Sequence, residues 1–233
     1  MVSTEKPVRT VAGAGPETKT WLAPFLVYLV FFYAVWTFVW VRGLYPWATR
    51  TIGDSTLLYA LISIGVRFSI WLLPVGLYLR LIDHVEVLAY LRLRQDWKRG
   101  VVIGLVLSIL NFLGTMARLG PPAWSNAHVT WNSLLGTSIL VGVFEEVPFR
   151  GFILQKLQKR YGFGIAAVTS SALFVGAHVP GWIALGTLTL FNVAFIFAFG
   201  LIMALIFTFS RSLWAPIVVH SLNDGLSNVL FRM

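Results

Sequence analysis

Residues 131–157 read WNSLLGTSILVGVFEEVPFRGFILQKL. The run exceeds the roughly 20 residues that a bilayer-crossing helix needs. Near its centre stand two adjacent glutamates, Glu145 and Glu146, with Arg150 one turn after the second. A carboxylate at the middle of a membrane helix costs about 2.5–3.5 kcal/mol on insertion scales. A second one beside it adds a similar cost and mutual repulsion. A run that bears this penalty twice is not designed for packing alone. It predicts a membrane helix built around ionisable groups.

Outward from this stretch, further apolar runs lie at residues 21–41, 56–79, 101–116, 163–178, 182–210 and 213–231. Together they predict an all-α, polytopic transmembrane helical bundle with about seven or eight membrane helices. Pro180-Gly181 stands just before the run at 182–210, which marks a break there and allows a short extra helix. Residues 1–20 are polar, without apolar period, and read as a disordered cytoplasmic tail. Residues 21–130 then form N-terminal membrane helices, and residues 131–233 a transmembrane core that holds the chemistry. The run at 21–41 is longer than the h-region of a signal peptide, about 7–15 residues, and reads as the first span.

Composition agrees. Of 233 residues, 58% are hydrophobic and 12% charged, against about 45–50% and about 25% in soluble domains. The absence of cysteine excludes disulfides and thiolate metal sites. The net charge of +9 does not point to nucleic acid, because the basic residues cluster between apolar runs instead of forming a basic face. With the N-terminus inside, one side holds Lys6, Arg9, Lys19, Arg80, Arg92, Arg94, Lys98, Arg99, Lys156, Lys159, Arg160 and Arg211, and the other Arg42, Arg50, Arg118 and Arg232. Twelve against four predicts a cytoplasmic N-terminus for an integral protein of the cell membrane. Trp36, Trp40, Trp47, Trp124, Trp131, Trp182 and Trp214 lie near run ends, where interfacial belts place them.

From Trp97 onward the only acidic residues are Glu145, Glu146 and Asp224. Glu146 and Arg150 have the i, i+4 spacing and order of a favourable helical ion pair. Glu145 points about 100° away and is left for chemistry. Pro148 cannot donate to the carbonyl of Phe144, so the helix should open or bend there. Two of four histidines, His178 and His220, fall in or beside apolar runs; His84 and His128 fall in loops. Counting from a turn near Tyr161-Gly162, Glu145 and His178 are each about 16 residues away, so at 1.5 Å per residue they are level. His220 falls at a similar depth. Asp224, four residues after His220, shares its face and could orient the ring. Asn223 is about 60° away on the helical wheel. Arg67, the other charge inside an apolar run, reads as a bundle-facing ion-pair partner.

These residues resemble the CAAX prenyl protease and bacteriocin-processing family, the Abi or type II CAAX endopeptidases. Glu145-Glu146 with Arg150 is similar to the family's E-E-x-x-x-R, Phe174 to His178 to F-x-x-x-H, and His220 with Asp224 to H-x-x-x-[N/D]. Ser212-Leu213-Trp214-Ala215-Pro216-Ile217 resembles the approach to the last motif. The resemblance covers about residues 131–231. It implies a glutamate-dependent intramembrane endopeptidase in which Glu145 with His178 activates a water. His220 and Asp224 would stabilise the oxyanion, and Glu146 and Arg150 would support them. Familiar eukaryotic members have Asn where this chain has Asp224. An ionised Asp cannot donate to an oxyanion, so Asp224 is protonated, Asn223 takes part, or Asp224 only orients His220. Implied partners are membrane lipids and a peptide or protein substrate, lipidated or bacteriocin-like, with no nucleic acid and no cofactor.

Other readings stay open. Glu145, His178, His220 and Asp224 could hold a catalytic zinc, although no H-E-x-x-H motif is present. The fold could also serve as a non-enzymatic membrane immunity protein or scaffold. Buried Glu, His and Arg equally mark transporters and proton relays.

Overall fold

The computed structural model describes residues 21–122 and 129–231. The tail read at residues 1–20 lies outside them, as do Trp124 and His128. Among the described residues the chain is helical throughout: α1 (Leu22–Val41), α2 (Leu44–Thr51), α3 (Leu57–Leu81), α4 (Val87–Tyr90), α5 (Trp97–Leu119), α6 (Asn132–Leu185), α7 (Leu190–Ser210) and α8 (Trp214–Gly225). A π-helical turn, Leu226–Phe231, continues α8. Five segments are long and apolar enough to cross a membrane by length and composition: α1 with α2, α3, α5, α6 and α7. Large apolar side chains such as Val27, Val30, Phe191 and Phe209 stand exposed on the outer faces, as lipid-facing positions do. The chain is an all-α polytopic bundle and an integral membrane protein.

The 54-residue segment α6 is two helical limbs joined at Gly162, whose φ of 73° only glycine adopts without strain. This is the turn read near Tyr161-Gly162. It gives a first limb carrying Glu145 and a second carrying His178. Within the first limb the backbone changes from α to π geometry at Val147–Leu154. Pro148 lies at the start of that segment and has no N–H for the Phe144 carbonyl, so the opening expected there takes the form of a wider turn.

The break expected at Pro180-Gly181 is not there. The second limb runs on through Pro180 to Leu185 and ends at Gly186, with φ 68°. Thr189 then caps α7, its side chain accepting from the Asn192 amide at 3.1 Å. Pro180 has no N–H for the Gly176 carbonyl one turn back. Two carbonyls in that region are taken up by α1: Trp36 Nε1 donates to Ala177 O at 2.8 Å, and the Tyr33 hydroxyl donates to Leu173 O. These bonds tie the second limb to α1 on either side of Gly176. The Gly186 and Thr189 caps were the better stop and start signals.

Trp36 is therefore not part of an interfacial belt. It is 4% exposed and sits in an aromatic core with Phe32, Trp71 and Phe149 where α1, α3 and the first limb meet. Trp47 and Trp131 are about half exposed, as belt residues would be.

Small residues bring α8 close. Gly100, Gly104 and Ser108 form a buried stripe on α5, and a Cβ at Gly104 would come within 2.7 Å of Val218. Such stripes let membrane helices approach closely. At Gly142, on the first limb, a Cβ would collide with the Ile217 carbonyl oxygen. That atom is backbone and cannot swing aside. Gly142→Ala should therefore cost about 3 kcal/mol, the upper end for overpacking, read as a lower unfolding midpoint in detergent. The start of α8 is fixed at the other end: Trp214 Nε1 donates to Leu93 O at 2.8 Å and the Leu213 amide to Arg92 O at 3.3 Å.

Candidate active site

Glu145 and Glu146 end the α-helical part of the first limb, just before the π segment. Glu146 turns inward to Arg150: Arg150 Nη1 donates to Glu146 Oε1 at 3.0 Å, with both side chains essentially inaccessible. The guanidinium also donates through Nη2 to Gly200 O at 3.1 Å and lies 4.4 Å from the centre of the Phe174 ring. A buried charge is tolerated when it is paired and hydrogen-bonded, and Arg150 has its counter-charge and a bond at each terminal nitrogen.

Glu146 Oε1 accepts a second bond, from His220 Nδ1 at 2.6 Å. This corrects one expectation. Asp224 does not orient the His220 ring, since its Oδ2 lies 3.8 Å from Nε2, too far for a hydrogen bond. The orienting group is Glu146. Because that carboxylate also receives Arg150, it acts as an acceptor, and Nδ1 of His220 carries a proton. Nε2 is then turned toward Glu145, whose Oε2 lies 3.7 Å away.

His178, on the second limb, is arranged in the same sense. Its Nδ1 donates to Phe174 O one turn back at 2.9 Å, and its Nε2 faces Glu145 Oε2 at 3.8 Å. Its ring lies 5.5 Å from that of Trp182. Glu145 Oε2 is buried and has no hydrogen-bond partner. Three elements thus bring Glu145, His178 and His220 around one carboxylate oxygen. Separations of 3.7–3.8 Å exceed a direct bond and suit groups that share a third atom between them.

Asp224 reaches the same place from α8. Its Oδ1 accepts from Asn223 Nδ2 at 3.2 Å, and Asn223 Oδ1 accepts from Asn111 Nδ2 at 3.1 Å. The Asn223 amide is thus held between α5 and Asp224. A cavity of about 80 Å³ is lined by Glu145, His178, His220, Asn223 and Asp224, with Phe174, Phe195, Ile196 and Phe199 as apolar walls. Asp224 also borders a cleft of about 790 Å³ between α5, α7 and α8. Glu145, His178 and Asp224 border a third cavity, of about 260 Å³, toward α1 and α3. Among the described residues no group of three or more His, Asp or Glu side chains is arranged to hold a metal ion.

One side chain near the site was not recognised from sequence. Asn111 is an amide inside the apolar run at 101–116, and that polar interruption was its signal. Arg67 was expected to form an ion pair. Among the described residues it forms none; its Nη1 donates to Gly136 O at 2.9 Å.

A family model described as Rce1-like, type II CAAX prenyl endopeptidase, matches residues 126–226. No curated protein and no solved structure matches the chain. The matched stretch contains all three motifs through which the sequence resembled the CAAX endopeptidases. Residues 126–226, on which Glu145, His178 and His220 lie, are thus similar to the Rce1-like type II CAAX prenyl endopeptidases.

Proposed function

We propose that this chain is a metal-independent intramembrane endopeptidase that hydrolyses a peptide bond with water activated by Glu145 and His178. The observation that supports this best is the free Oε2 of Glu145 facing Nε2 of both histidines. Each ring is held by a bond at its other nitrogen, so both reactive nitrogens point inward. That is how a general base and its helper are placed around one water.

In this reading Glu145 takes the proton as the water attacks the scissile carbonyl, and it returns the proton to the leaving amine. His178 Nε2 holds the water. His220 donates from Nε2 to the developing oxyanion when the ring carries its second proton. Aromatic walls keep the site dry, which strengthens that interaction. Asp224 is the counter-charge to His220 and is steadied by Asn223 and Asn111. Glu146 and Arg150 position His220. The substrate is a peptide or protein segment presented from the lipid, lipid-modified or bacteriocin-like.

The test is a comparison of membrane peptidomes from cells carrying the wild type or Glu145→Ala. Peptides with one defined new terminus should be present only with the wild type; identical peptidomes would remove the peptidase reading. The purified protein should also keep its full cleavage rate after treatment with EDTA or 1,10-phenanthroline. Loss restored by zinc would transfer the mechanism to a metal.

A further inference from the structure

Two residues that line the cavity of about 260 Å³ on the α1–α3 side carry buried donors with no acceptor. Arg67 Nε and Trp71 Nε1 are both buried without a hydrogen-bond partner, and both residues line this cavity. Trp71 is 2% exposed. The two are four residues apart, where α3 passes into the π-helical turn Phe68–Leu72, so they lie on neighbouring parts of one face. Arg67 uses one of its five donors, on Gly136 O. Trp36 and Trp182 add apolar wall, and Glu145 and His178 form the end toward the candidate active site.

A guanidinium among tryptophans, with unused donors and no ion pair, is a costly arrangement for packing alone. A carboxylate answers it, because a planar anion takes a forked pair of N–H bonds from Arg and a third from the indole. We infer that this cavity seats a carboxylate of the substrate peptide, with Arg67 as its charged partner and Trp71 Nε1 as a second donor. This rests on the peptidase reading. Glu145 and Asp224 line the same cavity, so an incoming carboxylate is repelled at that end and attracted at the Arg67 end. The substrate is thereby oriented, and the length of chain between the anion seat and Glu145 decides which bond is cut. Two sources offer such a group: the free α-carboxylate at a chain end, and an Asp or Glu side chain.

The test uses the full chain in proteoliposomes. Cleavage is measured on one peptide prepared as the free acid, as the C-terminal amide, and as amides with Asp or Asn near the C-terminus. Binding is measured separately by thermal shift of the Glu145→Gln protein with N-acetyl-dileucine and with its amide. The wild type should prefer the acid by on the order of ten- to a hundred-fold in kcat/KM, as a charged hydrogen-bonded pair gives. R67Q should bring the acid-to-amide ratio near one. R67K should keep part of it, and W71F should lower it severalfold. A ratio that follows Asp against Asn in the amides assigns the seat to a side chain. Equal losses on acid and amide in R67Q would make Arg67 structural and overturn the inference. So would equal thermal shifts from the acid and the amide. If no form is cleaved while the acid alone shifts the Glu145→Gln protein, the anion seat stands and the peptidase reading fails.

Discussion

Glu145→Gln should leave a folded protein whose peptide cleavage falls by about a thousandfold, within the 10²–10⁴ that a positioned general base contributes. The substitution keeps size and shape and removes only the proton acceptor. Little stability depends on the lost group, because Glu145 Oε2 has no hydrogen-bond partner. The unfolding midpoint in detergent should therefore stay within a degree or two while turnover disappears. The measurement pairs thermal unfolding with cleavage of one peptide by both proteins. Near-normal turnover in a folded Glu145→Gln protein would end the base assignment and put the scaffold and transport readings ahead.

Glu146→Gln should behave differently, although the two residues are neighbours. Glu146 Oε1 accepts from both Arg150 and His220, in surroundings closed to water. Replacing it with an amide leaves the guanidinium without its counter-charge and loosens the ring. Breaking one side of a buried ion pair costs about 3–5 kcal/mol, because the remaining charge is stranded. The expected result is a large drop in unfolding midpoint together with loss of cleavage. If Glu146→Gln unfolded at the wild-type temperature, the Arg150–Glu146–His220 chain would not be the support described here. Cleavage alone does not separate the two glutamates; the stability difference does.

The sequence showed the bundle and the motif residues because lipid imposes simple rules. Apolar runs of the required length mark helices, and carboxylates inside them stand out by cost. Glu146 with Arg150 was legible from i, i+4 spacing, and the opening at Val147–Leu154 from Pro148. Three features were hidden for physical reasons. The helix end at Gly186 was misplaced because Pro180 looks like a stronger break, and nothing local reveals that α1 supplies donors to the carbonyls nearby. Trp36 was assigned to an interface because hydropathy does not distinguish a ring facing lipid from one facing Trp71. The link from Glu146 to His220 joins residues 74 apart in sequence, and helical periodicity carries no information across that distance. Asp224 was read as the partner of His220 because it was the nearest carboxylate along the chain, whereas the nearest in space is Glu146.

The location of Arg150 bears on how the chain enters the membrane. The first limb must cross with two carboxylates before α8 has been made, so His220 is not there to help. Arg150 is on the same limb, one turn from Glu146. The pair can thus close as soon as that limb is helical, and the translocation machinery meets a hairpin with one exposed carboxylate instead of two. The aromatic face of the second limb, with Phe174 over Arg150, can then seal the pair. Glu145 meets His178 when the second limb packs against the first, and His220 only when α8 arrives.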